Sequence, residues 1–240
     1  MKNVVILGAS GTIGKALVKK FYNSGFNVFG SYFNNEKELE NLSANLHNKQ
    51  NRFCYFYCDQ TKEKSVKEFL NEFAKIFGKI DCLICSAGVS KPNLIIDQSY
   101  DNLSNEINVN LVGTILVNKE SLNHFNDNGG SIINIASIWG NVGASFESTY
   151  SATKGGVIAF SKSLAKEIGS KNITVNTISP GLILGKMNSH LTKADIELVK
   201  NESAIRKIPT ASSVAKTALF LTKSPHITGT NITIDCGFTL

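Results

Sequence analysis

Short apolar runs alternate with longer helical patterns from one end of the chain to the other. Seven runs have the length and the β-branched or aromatic content of strands: Val4–Leu7, Asn27–Tyr32, Arg52–Tyr57, Ile80–Cys85, Ser131–Ala136, Thr174–Ile178 and Asn231–Asp235. Five stretches between them have helical spacing: Ile13–Asn23, Lys62–Phe77, Leu103–Phe125, Tyr150–Gly169 and Ser212–Leu221. Strands that are apolar throughout are typically covered by helices on both faces, and their alternation with helices implies parallel pairing through right-handed crossovers. The sequence therefore predicts an α/β fold with a doubly wound, mostly parallel seven-stranded sheet, in a single domain over residues 1–240.

Composition excludes several classes of protein. The chain has 240 residues, of which 42% are hydrophobic, and 25 Lys and Arg residues against 19 Asp and Glu residues give a formal charge of +6. This balance is ordinary for a soluble globular protein and argues against disorder. No apolar run approaches the roughly 20 residues that span a bilayer, and residues 1–7 lack the apolar segment and cleavage site of a secretory leader. We therefore expect a cytoplasmic protein that does not enter a membrane.

The basic excess is spread along the chain. Lysines occur singly or in pairs, as in Lys19-Lys20, and acidic residues lie between them. A solvated surface explains this pattern better than a nucleic-acid interface, and an anionic ligand or an acidic partner is the alternative.

The five cysteines do not combine into a convincing metal site. Cys82 and Cys85, like Cys54 and Cys58, have a spacing that zinc ligands also have. In a doubly wound sheet, however, two other strands separate the third strand from the fourth, a distance of roughly 14 Å at about 4.8 Å per step. An odd number of cysteines without an export signal also favours reduced thiols. We therefore predict buried thiols and no metal.

A glycine-rich turn joins the first predicted strand to the first predicted helix. It consists of Gly8, Ala9, Ser10, Gly11, Thr12, Ile13 and Gly14. Glycines at this point let the backbone approach a pyrophosphate, and the helix N-terminus presents free N–H groups and a positive dipole end to the anion. The strand–turn–helix context predicts a Rossmann-like dinucleotide site, with a tight turn that binds nothing as the alternative.

The segment after the second strand predicts which dinucleotide binds. An Asp or Glu at this point holds the ribose 2′-hydroxyl of NAD and repels the 2′-phosphate of NADP. The strand instead ends in Ser31-Tyr32-Phe33-Asn34-Asn35, with Glu36 and Lys37 just beyond it. The neutral amide of Asn34 and the nearby lysine favour NADP(H) over NAD(H), and Ser10 offers the phosphate a further hydrogen bond.

Tyr150 and Lys154 are spaced to share one face of a helix. Because an ammonium favours the phenolate, the pair predicts that the pKa of Tyr150 falls from its usual value of about 10 toward neutrality. Such a tyrosine exchanges a proton with a carbonyl or alcohol oxygen at physiological pH. Ser137 ends the fifth predicted strand, and carboxyl ends of strands are where open α/β sheets bind ligands. The three residues together predict a catalytic site.

These motifs resemble those of the short-chain dehydrogenase/reductase family over residues 3–240, and within it the 3-oxoacyl-[acyl-carrier-protein] reductases. Several further segments match in the same order along the chain. They are Asp59, Ser86-Ala87-Gly88, Asn108-Val109-Asn110-Leu111, Pro180-Gly181, Ile227-Thr228-Gly229-Thr230 and Asp235-Cys236-Gly237. The resemblance implies an oxidoreductase that uses a nicotinamide dinucleotide.

The resemblance also implies the role of each site residue. Tyr150 is the general acid in ketone reduction, Lys154 lowers its pKa and holds the nicotinamide ribose, and Ser137 hydrogen-bonds the carbonyl and the developing alkoxide. Asn110 supports a water relay that reprotonates the site. Cofactor contacts beyond the glycine turn and Asn34 are implied for Asp59 and Gln60 at the adenine, Ala87 and Gly88 at the ribose, Pro180, Gly181 and Ile183 at the nicotinamide, and Tyr150 and Lys154.

Four positions depart from the family pattern. Thr12 replaces a usual glycine, Cys85 a usual asparagine, and Gly185 a usual threonine that hydrogen-bonds the nicotinamide amide. Ser145-Phe146-Glu147 stands where Gly-Gly-Gln often precedes the tyrosine, so that Phe146 adds bulk near the substrate mouth. These departures predict an altered nicotinamide contact and an acyl specificity that differs from that of the fatty-acid enzyme.

Three functional hypotheses follow from the resemblance. The first is an NADPH-dependent ketoreductase whose substrate is a 3-oxoacyl thioester, linked to coenzyme A or to an acyl carrier protein, in fatty-acid or polyketide-like synthesis. The second is an NAD(P)-dependent alcohol or sugar dehydrogenase of the same family. The third is a non-catalytic dinucleotide sensor, which has no need for the set of Asn110, Ser137, Tyr150 and Lys154.

The resemblance further implies a homotetramer, a carrier-protein contact and a lid. Family tetramers pair the two long helices, and Tyr150–Gly169 has enough apolar residues for more than one face; the alternative is that all of them face the sheet of one subunit. Of the two basic positions at which the reductases dock the carrier protein, Lys171 matches one and Asn128 stands at the other. Residues 187–208 occupy the position of the substrate lid, and their mixed composition predicts short amphipathic helices.

Overall fold

Seven parallel strands form one sheet in the order β3-β2-β1-β4-β5-β6-β7 in the computed structural model, which describes residues 1–46 and 50–240. The strands are β1 Asn3–Leu7, β2 Asn27–Tyr32, β3 Phe53–Tyr57, β4 Cys82–Cys85, β5 Gly130–Ile135, β6 Ile173–Pro180 and β7 Asn231–Ile234. The order reverses between β1 and β4, so the chain winds outward from the centre in both directions. The predicted doubly wound sheet is confirmed, and its strands are all parallel rather than mostly so.

Helices connect the strands and cover both faces of the sheet. They are α1 Thr12–Tyr22, α2 Glu36–Ala44, α3 Glu63–Phe77, α4 Tyr100–Ile107, α5 Thr114–Ser121, α6 Trp139–Val142, α7 Ser148–Ile168, α8 Lys193–Glu202 and α9 Ala211–Thr222. Of these helices, α2 and α6 were not predicted from the sequence pattern. Within the described ranges, no helix is both long enough and apolar enough to cross a membrane.

The long helix predicted over Leu103–Phe125 is divided in the structure. A π-helical segment, Asn108–Gly113, separates α4 from α5. Such a segment widens one turn of a helix, and π segments occur often at functional sites. It places the predicted catalytic residue Asn110 where the regular hydrogen-bond pattern of the helix is interrupted.

Residues along a strand alternate between two apolar cores. In β1, Val4 and Ile6 pack toward α1 and α9, whereas Val5 and Leu7 pack toward α3, α5 and α7. All four are fully buried or nearly so, and burying such a side chain contributes roughly 1.5–3 kcal/mol. The two cores fix the register of the central strands and therefore the positions of the loops at their carboxyl ends.

The apolar residues of α7 are buried within one chain. Val157, Ile158, Leu164 and Ile168 are each less than 9% exposed. Phe160 is partly buried against the core that contains Leu164 and Ile168, and Val157 and Ile158 form a smaller cluster with Ala136 at the end of β5. This is the alternative interpretation given above, in which these residues face the sheet of their own subunit. They therefore provide no argument for the tetramer, which stays a prediction.

A buried polar network joins the sheet to α5 and α7. The Asn118 amide donates to Asn134 Oδ1 at 3.0 Å, and the Asn134 amide donates to Ser161 Oγ at 2.9 Å. The Cys85 sulfur accepts from the Asn118 amide at 3.4 Å. Buried polar groups require partners of this kind. Cys85, one of the departures from the family pattern, thus supports the packing of α5 on β4.

The cysteines of β3 and β4 lie on strands that β2 and β1 separate, as the sequence analysis assumed. Over residues 1–46 and 50–240, no group of three or more His, Cys, Asp or Glu side chains is arranged to hold a metal ion. Cys58, Cys82 and Cys85 are buried, and burial raises the pKa of Cys58 and Cys82 to about 12 and that of Cys85 far above its usual value.

We expect alkaline pH to destabilise the fold through these three thiols. An unfolded cysteine ionises near pH 8.5, whereas the buried thiols keep their protons to much higher pH. Their contribution to stability is therefore complete below about pH 8.5 and is lost as the pH rises toward their folded pKa, by up to about 2 kcal/mol per thiol at pH 10. Urea unfolding at about pH 8 and about pH 10, in the wild type and in the Cys58→Ala, Cys82→Ala, Cys85→Ala triple variant, measures this difference. An equal loss of stability in the two proteins would contradict the expectation.

Candidate active site

The glycine turn is packed so closely that two of its glycines have no room for a side chain. Gly8 has a φ of +72°, and a Cβ there would lie 2.6 Å from the backbone of Ala87. A Cβ on Gly14 would lie 2.1 Å from the carbonyl oxygen of Gly8. The N–H of Gly8 donates to Ser31 Oγ at 2.9 Å, which ties the turn to the end of β2. Residues with side chains are excluded at both glycines.

The start of α1 fits an anionic ligand. Its N-cap, Gly11, contributes no side-chain hydrogen bond, and the first turn of the helix contains no acidic residue. The first N–H groups of a helix have no partner within it, so here they face outward together with the positive end of the helix dipole. These features suit the pyrophosphate of a dinucleotide, with Ser10, Thr12 and Ile13 beside it.

The predicted adenine-side residues lie at the carboxyl ends of β2 and β3. Asn34 is exposed and borders a cleft of about 540 Å³ beside the first turn of α2. Asp59 Oδ1 accepts from the N–H and the hydroxyl of Thr61, at 3.0 and 2.7 Å. The Gln60 side chain is buried and donates to the carbonyl oxygen of Val109 at 2.7 Å, which links the end of β3 to the π-helical segment.

The predicted ribose and nicotinamide residues lie at the carboxyl ends of β4 and β6. A Cβ on Gly88 would lie 3.2 Å from Asn110 Oδ1 and 3.4 Å from Lys154 Nζ, so the segment of Ala87 and Gly88 passes directly over two of the predicted catalytic residues. Pro180 ends β6, and the N–H of Gly181 donates to the Ile234 carbonyl oxygen at 2.9 Å. Ile183 is buried in the core that contains α1.

Asn110 is fully buried and fastens two loops together. Its side chain exchanges two hydrogen bonds with the backbone of Val89, one in each direction and each 2.8 Å long. It also donates to Thr153 Oγ1 at 3.3 Å, and that hydroxyl donates to the Tyr150 carbonyl oxygen at 2.7 Å. The amide thus holds the loop after β4 against the first turn of α7.

Ser137, Tyr150 and Lys154 meet at the carboxyl end of β5. Ser137 lies two residues beyond the strand, and its hydroxyl hydrogen-bonds the phenol oxygen of Tyr150 and accepts from the Trp139 N–H at 3.2 Å. Lys154 is buried one turn after Tyr150 in α7, and its amine donates to the Ile135 carbonyl oxygen at 2.9 Å. The same nitrogen lies 5.6 Å from the centre of the Tyr150 ring.

Burial controls the protonation of this pair. Burial raises the pKa of Tyr150 to about 12; the charges of Glu147 and Glu106 act in the same direction, and the hydrogen bond from Ser137 opposes them. Burial lowers the pKa of Lys154 to about 8. The prediction that Lys154 brings the pKa of Tyr150 toward neutrality was therefore wrong for the protein chain by itself. The amine is bonded to a backbone carbonyl and lies over the ring face, so the loss of hydration decides the pKa of the phenol.

Comparisons with known proteins show the family of this chain. A family model described as enoyl-(acyl carrier protein) reductase matches residues 8–239. The 3-oxoacyl-[acyl-carrier-protein] reductase of Rattus norvegicus is 33% identical over 239 residues, which cover 100% of this chain and 98% of that protein. Carbonyl reductase family member 4 of Xenopus laevis is 35% identical over 248 residues, with the same coverage. The chain belongs to the short-chain dehydrogenase/reductase family.

Solved structures of short-chain dehydrogenases have the same fold. A short-chain dehydrogenase/reductase of Brucella melitensis, titled glucose/ribitol dehydrogenase, superposes with a TM-score of 0.94 at 26% identity and covers 100% of this chain and 97% of its own. A short-chain dehydrogenase of Burkholderia cenocepacia in complex with NADP gives 0.93 at 25% identity, with 100% and 98% coverage. The resemblance predicted from the motifs is confirmed, and the protein is an oxidoreductase with an NAD(P)-binding fold.

Glu147 lies close to Tyr150 in this short-chain dehydrogenase/reductase, and the sequence did not predict it as a site residue. Glu147 accepts from the Ser90 hydroxyl at 3.0 and 2.8 Å with its two oxygens, and burial raises its pKa. The second carboxylate, Glu106, is buried and accepts from the Lys91 N–H at 2.8 Å. The sequence marked Glu147 only as part of a departure, and no pattern marks Ser90 or Glu106, because only folding brings their loops together.

Exposed apolar side chains border the carboxyl edge of the sheet, the side from which a substrate would enter the site. This apolar rim comes from the loops after β4, before α7 and after β6, and its members are each 45–87% exposed: Leu94, Ile95, Ile96, Phe146, Leu184 and Met187. Phe146 has a φ of +64°, a conformation that non-glycine residues seldom adopt, and its carbonyl oxygen accepts from the Asn93 N–H at 2.8 Å. The bulk predicted for Phe146 is therefore part of a larger apolar border.

The two carrier-docking positions lie away from this entrance. Asn128 precedes β5 and Lys171 precedes β6, so both are exposed at the amino ends of the strands, whereas Tyr150 lies at the carboxyl ends. The turns that hold them are adjacent, since the Gly130 N–H donates to the Asn172 carbonyl oxygen at 3.1 Å.

Residues 187–208, the predicted lid, contain α8, which begins with a capping box of Thr192 and Asp195.

Proposed function

We propose that this protein is an NADPH-dependent ketoreductase whose substrate is a 3-oxoacyl thioester, linked to coenzyme A or to an acyl carrier protein. One observation carries the proposal: the protonated phenol of Tyr150, the Ser137 hydroxyl and the buried amine of Lys154 converge at the sheet edge that also holds the glycine turn. In this proposal, the three side chains supply a substrate carbonyl oxygen with a proton donor, a hydrogen-bond donor and a nearby cation.

Each side chain has a distinct task in carbonyl reduction. Hydride for the carbonyl carbon would come from a nicotinamide dinucleotide held by the glycine turn and the start of α1. Ser137 stabilises the oxygen as it becomes an alkoxide, and Tyr150 transfers its proton to that oxygen. A phenol with a pKa of about 12 keeps its proton at neutral pH, which suits the reducing direction. The charge of Lys154 stabilises the phenolate that remains after the transfer.

Two observations support NADP(H) as the dinucleotide. Asn34 carries no charge, and the nearest carboxylate along the chain, Glu36, is hydrogen-bonded by the Tyr32 hydroxyl, which raises the pKa of that tyrosine. Because Glu36 accepts this hydrogen bond, it is less available to bind the ribose 2′-hydroxyl, which is the role of a carboxylate in an NAD site. The comparison structure from Burkholderia cenocepacia was also obtained with NADP.

The apolar rim supports an acyl substrate. A 3-oxoacyl thioester places its carbonyl at Tyr150 and its alkyl chain along the entrance, where exposed apolar side chains shield it from water. A sugar needs many polar partners, and the rim offers few. The relatives from rat and several other vertebrates are named as 3-oxoacyl-[acyl-carrier-protein] reductases, at 31–33% identity. We further propose a role in acyl metabolism, a cytoplasmic location and a homotetramer. Lys171, exposed at the amino end of β6, is the proposed contact for the carrier protein.

A substrate panel with both dinucleotides tests the proposal. Acetoacetyl thioesters of coenzyme A and of an acyl carrier protein, free ketones, 2-enoyl thioesters, and alcohols and sugars with NAD⁺ or NADP⁺ form its arms. We expect NADPH oxidation with the acetoacetyl thioesters and a lower dissociation constant for NADPH than for NADH. Turnover confined to alcohols or sugars would favour the dehydrogenase, turnover confined to enoyl thioesters would favour an enoyl reductase, and dinucleotide binding without any turnover would favour the sensor. Light scattering on the same sample reports the oligomeric state.

A further inference from the structure

The first residue of α1 interlocks with the loop after β6. A Cβ on Gly185 would lie 2.2 Å from Thr12 Oγ1, 2.8 Å from Thr12 Cβ and 2.9 Å from Thr12 Cγ2. Rotation about χ1 of the threonine moves the outer two atoms but leaves its Cβ in place, so no rotamer makes room. The Thr12 side chain therefore occupies the space that any side chain at position 185 would need.

A charged contact one residue further on holds the same loop. Lys186 Nζ lies 2.8 Å from Glu38 Oε1, and Lys15 Nζ lies 2.5 Å from Glu38 Oε2. The two ammonium groups lower the pKa of Glu38 to about 2. Because these side chains are partly exposed, water and salt weaken the pairing. The charged contacts align the loop after β6 with α1 and α2. The close packing of Thr12 on Gly185 sets the distance between this loop and α1.

The interlock spans the dinucleotide site. Thr12 stands beside the uncapped N-terminus that suits the pyrophosphate, and Gly185 follows the segment of Pro180, Gly181 and Ile183 on the nicotinamide side. Since Gly185 has no side chain, the hydroxyl at this contact comes from the helix and not from the loop.

We propose that Thr12 is a dinucleotide-positioning residue. Its side chain holds the loop over residues 181–188 against α1, and its hydroxyl donates a hydrogen bond to the bound dinucleotide. This inference rests on the proposed function, because it assumes that a nicotinamide dinucleotide is the ligand. It explains why Thr12 and Gly185 depart together from the family pattern: each makes the other possible.

Four variants test the proposal through the dissociation constant for NADPH, measured by its fluorescence, and through the melting temperature without dinucleotide. They are Thr12→Val, Thr12→Gly, Gly185→Thr and the Thr12→Gly, Gly185→Thr pair. Thr12→Val keeps the packing and removes the hydroxyl, so we expect NADPH to bind about fivefold more weakly with an unchanged melting temperature. Thr217→Val, in α9, is the matched control and should bind NADPH as the wild type does.

The pair of substitutions tests the interlock itself. Gly185→Thr alone should lower the melting temperature, because its Cβ overlaps Thr12, whereas the same change in the Thr12→Gly background should be tolerated. The double variant should also regain NADPH affinity to within about threefold of the wild type, since a hydroxyl then reaches the contact from the loop. Wild-type affinity in Thr12→Val, or equal effects of Gly185→Thr in both backgrounds, would overturn the inference and leave the proposed function intact. Failure of the wild type to bind NADPH or NADH would overturn both.

Discussion

Replacing Tyr150 by phenylalanine is expected to lower kcat/KM for ketone reduction by between about 10² and 10⁴, the usual contribution of a general acid. The substitution removes only the phenol oxygen, which is the atom that Ser137 hydrogen-bonds. That hydroxyl is the proposed proton donor to the substrate. The ring still fills its place beside Lys154. Steady-state kinetics with an acetoacetyl thioester and NADPH measure the loss.

Two further measurements make this result specific. The dissociation constant for NADPH should change little, because the glycine turn and the start of α1 are untouched. Tyr100→Phe, which alters an 80%-exposed tyrosine at the start of α4, should keep the wild-type kcat/KM. Full activity of Tyr150→Phe would sink the assigned mechanism, and a parallel loss in the Tyr100 variant would point to a general defect.

The raised pKa of Tyr150 can be measured in the protein without dinucleotide. Ionisation changes the ultraviolet absorbance of tyrosine, so the difference between titrations of the wild type and of Tyr150→Phe isolates this phenol. We expect its ionisation well above the ordinary value of about 10. Ionisation near neutral pH would instead support the interpretation based on spacing alone, in which Lys154 dominates.

Replacing Lys154 by methionine is expected to cost about 10² to 10³ in kcat/KM, the range for removing one group that stabilises the charge of a transition state. The amine is the cation nearest the Tyr150 ring in the described structure, at 5.6 Å from the ring centre, and a Cβ on Gly88 would lie 3.4 Å from it. Methionine has a similar length and no charge. Lys162→Met, on the exposed side of the same helix, is the control and should leave kcat/KM unchanged.

The same substitution should change how stability depends on pH. The pKa of Lys154 is about 8 in the folded chain against an ordinary 10.5, so the unfolded chain holds more protons between these values. The contribution of this group is therefore fully present above pH 10.5 and is lost as the pH falls through 8, a difference of roughly 3 kcal/mol. Relative to the wild type, Lys154→Met should gain stability as the pH is lowered from about 10.5 to about 7.

Urea unfolding of both proteins across this range measures the gain. The hydrogen bond from Lys154 to the Ile135 carbonyl is lost at every pH, so it shifts the whole curve and does not alter its slope. The titration of buried thiols is common to both proteins and cancels in the difference. Parallel stability curves for the wild type and the variant would contradict the predicted burial of a titrating amine.

Local pattern was sufficient for much of the fold and for placing most of the predicted site residues at one edge of the sheet. Continuous apolar runs such as Val4–Leu7 predicted central strands, and the glycine turn predicted the strand–turn–helix junction, because both depend on neighbours along the chain. The spacing of Tyr150 and Lys154 placed them correctly on one helix. The helical pattern over Leu103–Phe125 did not reveal the π-helical segment, since the same side chains suit either helix and long-range contacts such as that of Gln60 with Val109 accompany the wider turn.

The sequence by itself determined which residues stand at the carboxyl edge of the sheet, because strands that alternate with helices run parallel and therefore all end at the same edge. Tertiary structure decided the chemistry of those residues. The pKa of Tyr150 rises because segments distant in sequence shield the phenol from water. Spacing along one helix identifies only one neighbour of this phenol, Lys154. The contact of Thr12 with Gly185 and the bonds from Ser90 to Glu147 join loops far apart in the chain. Burial and steric fit are properties of all atoms around a group, so they exist only once the chain has folded.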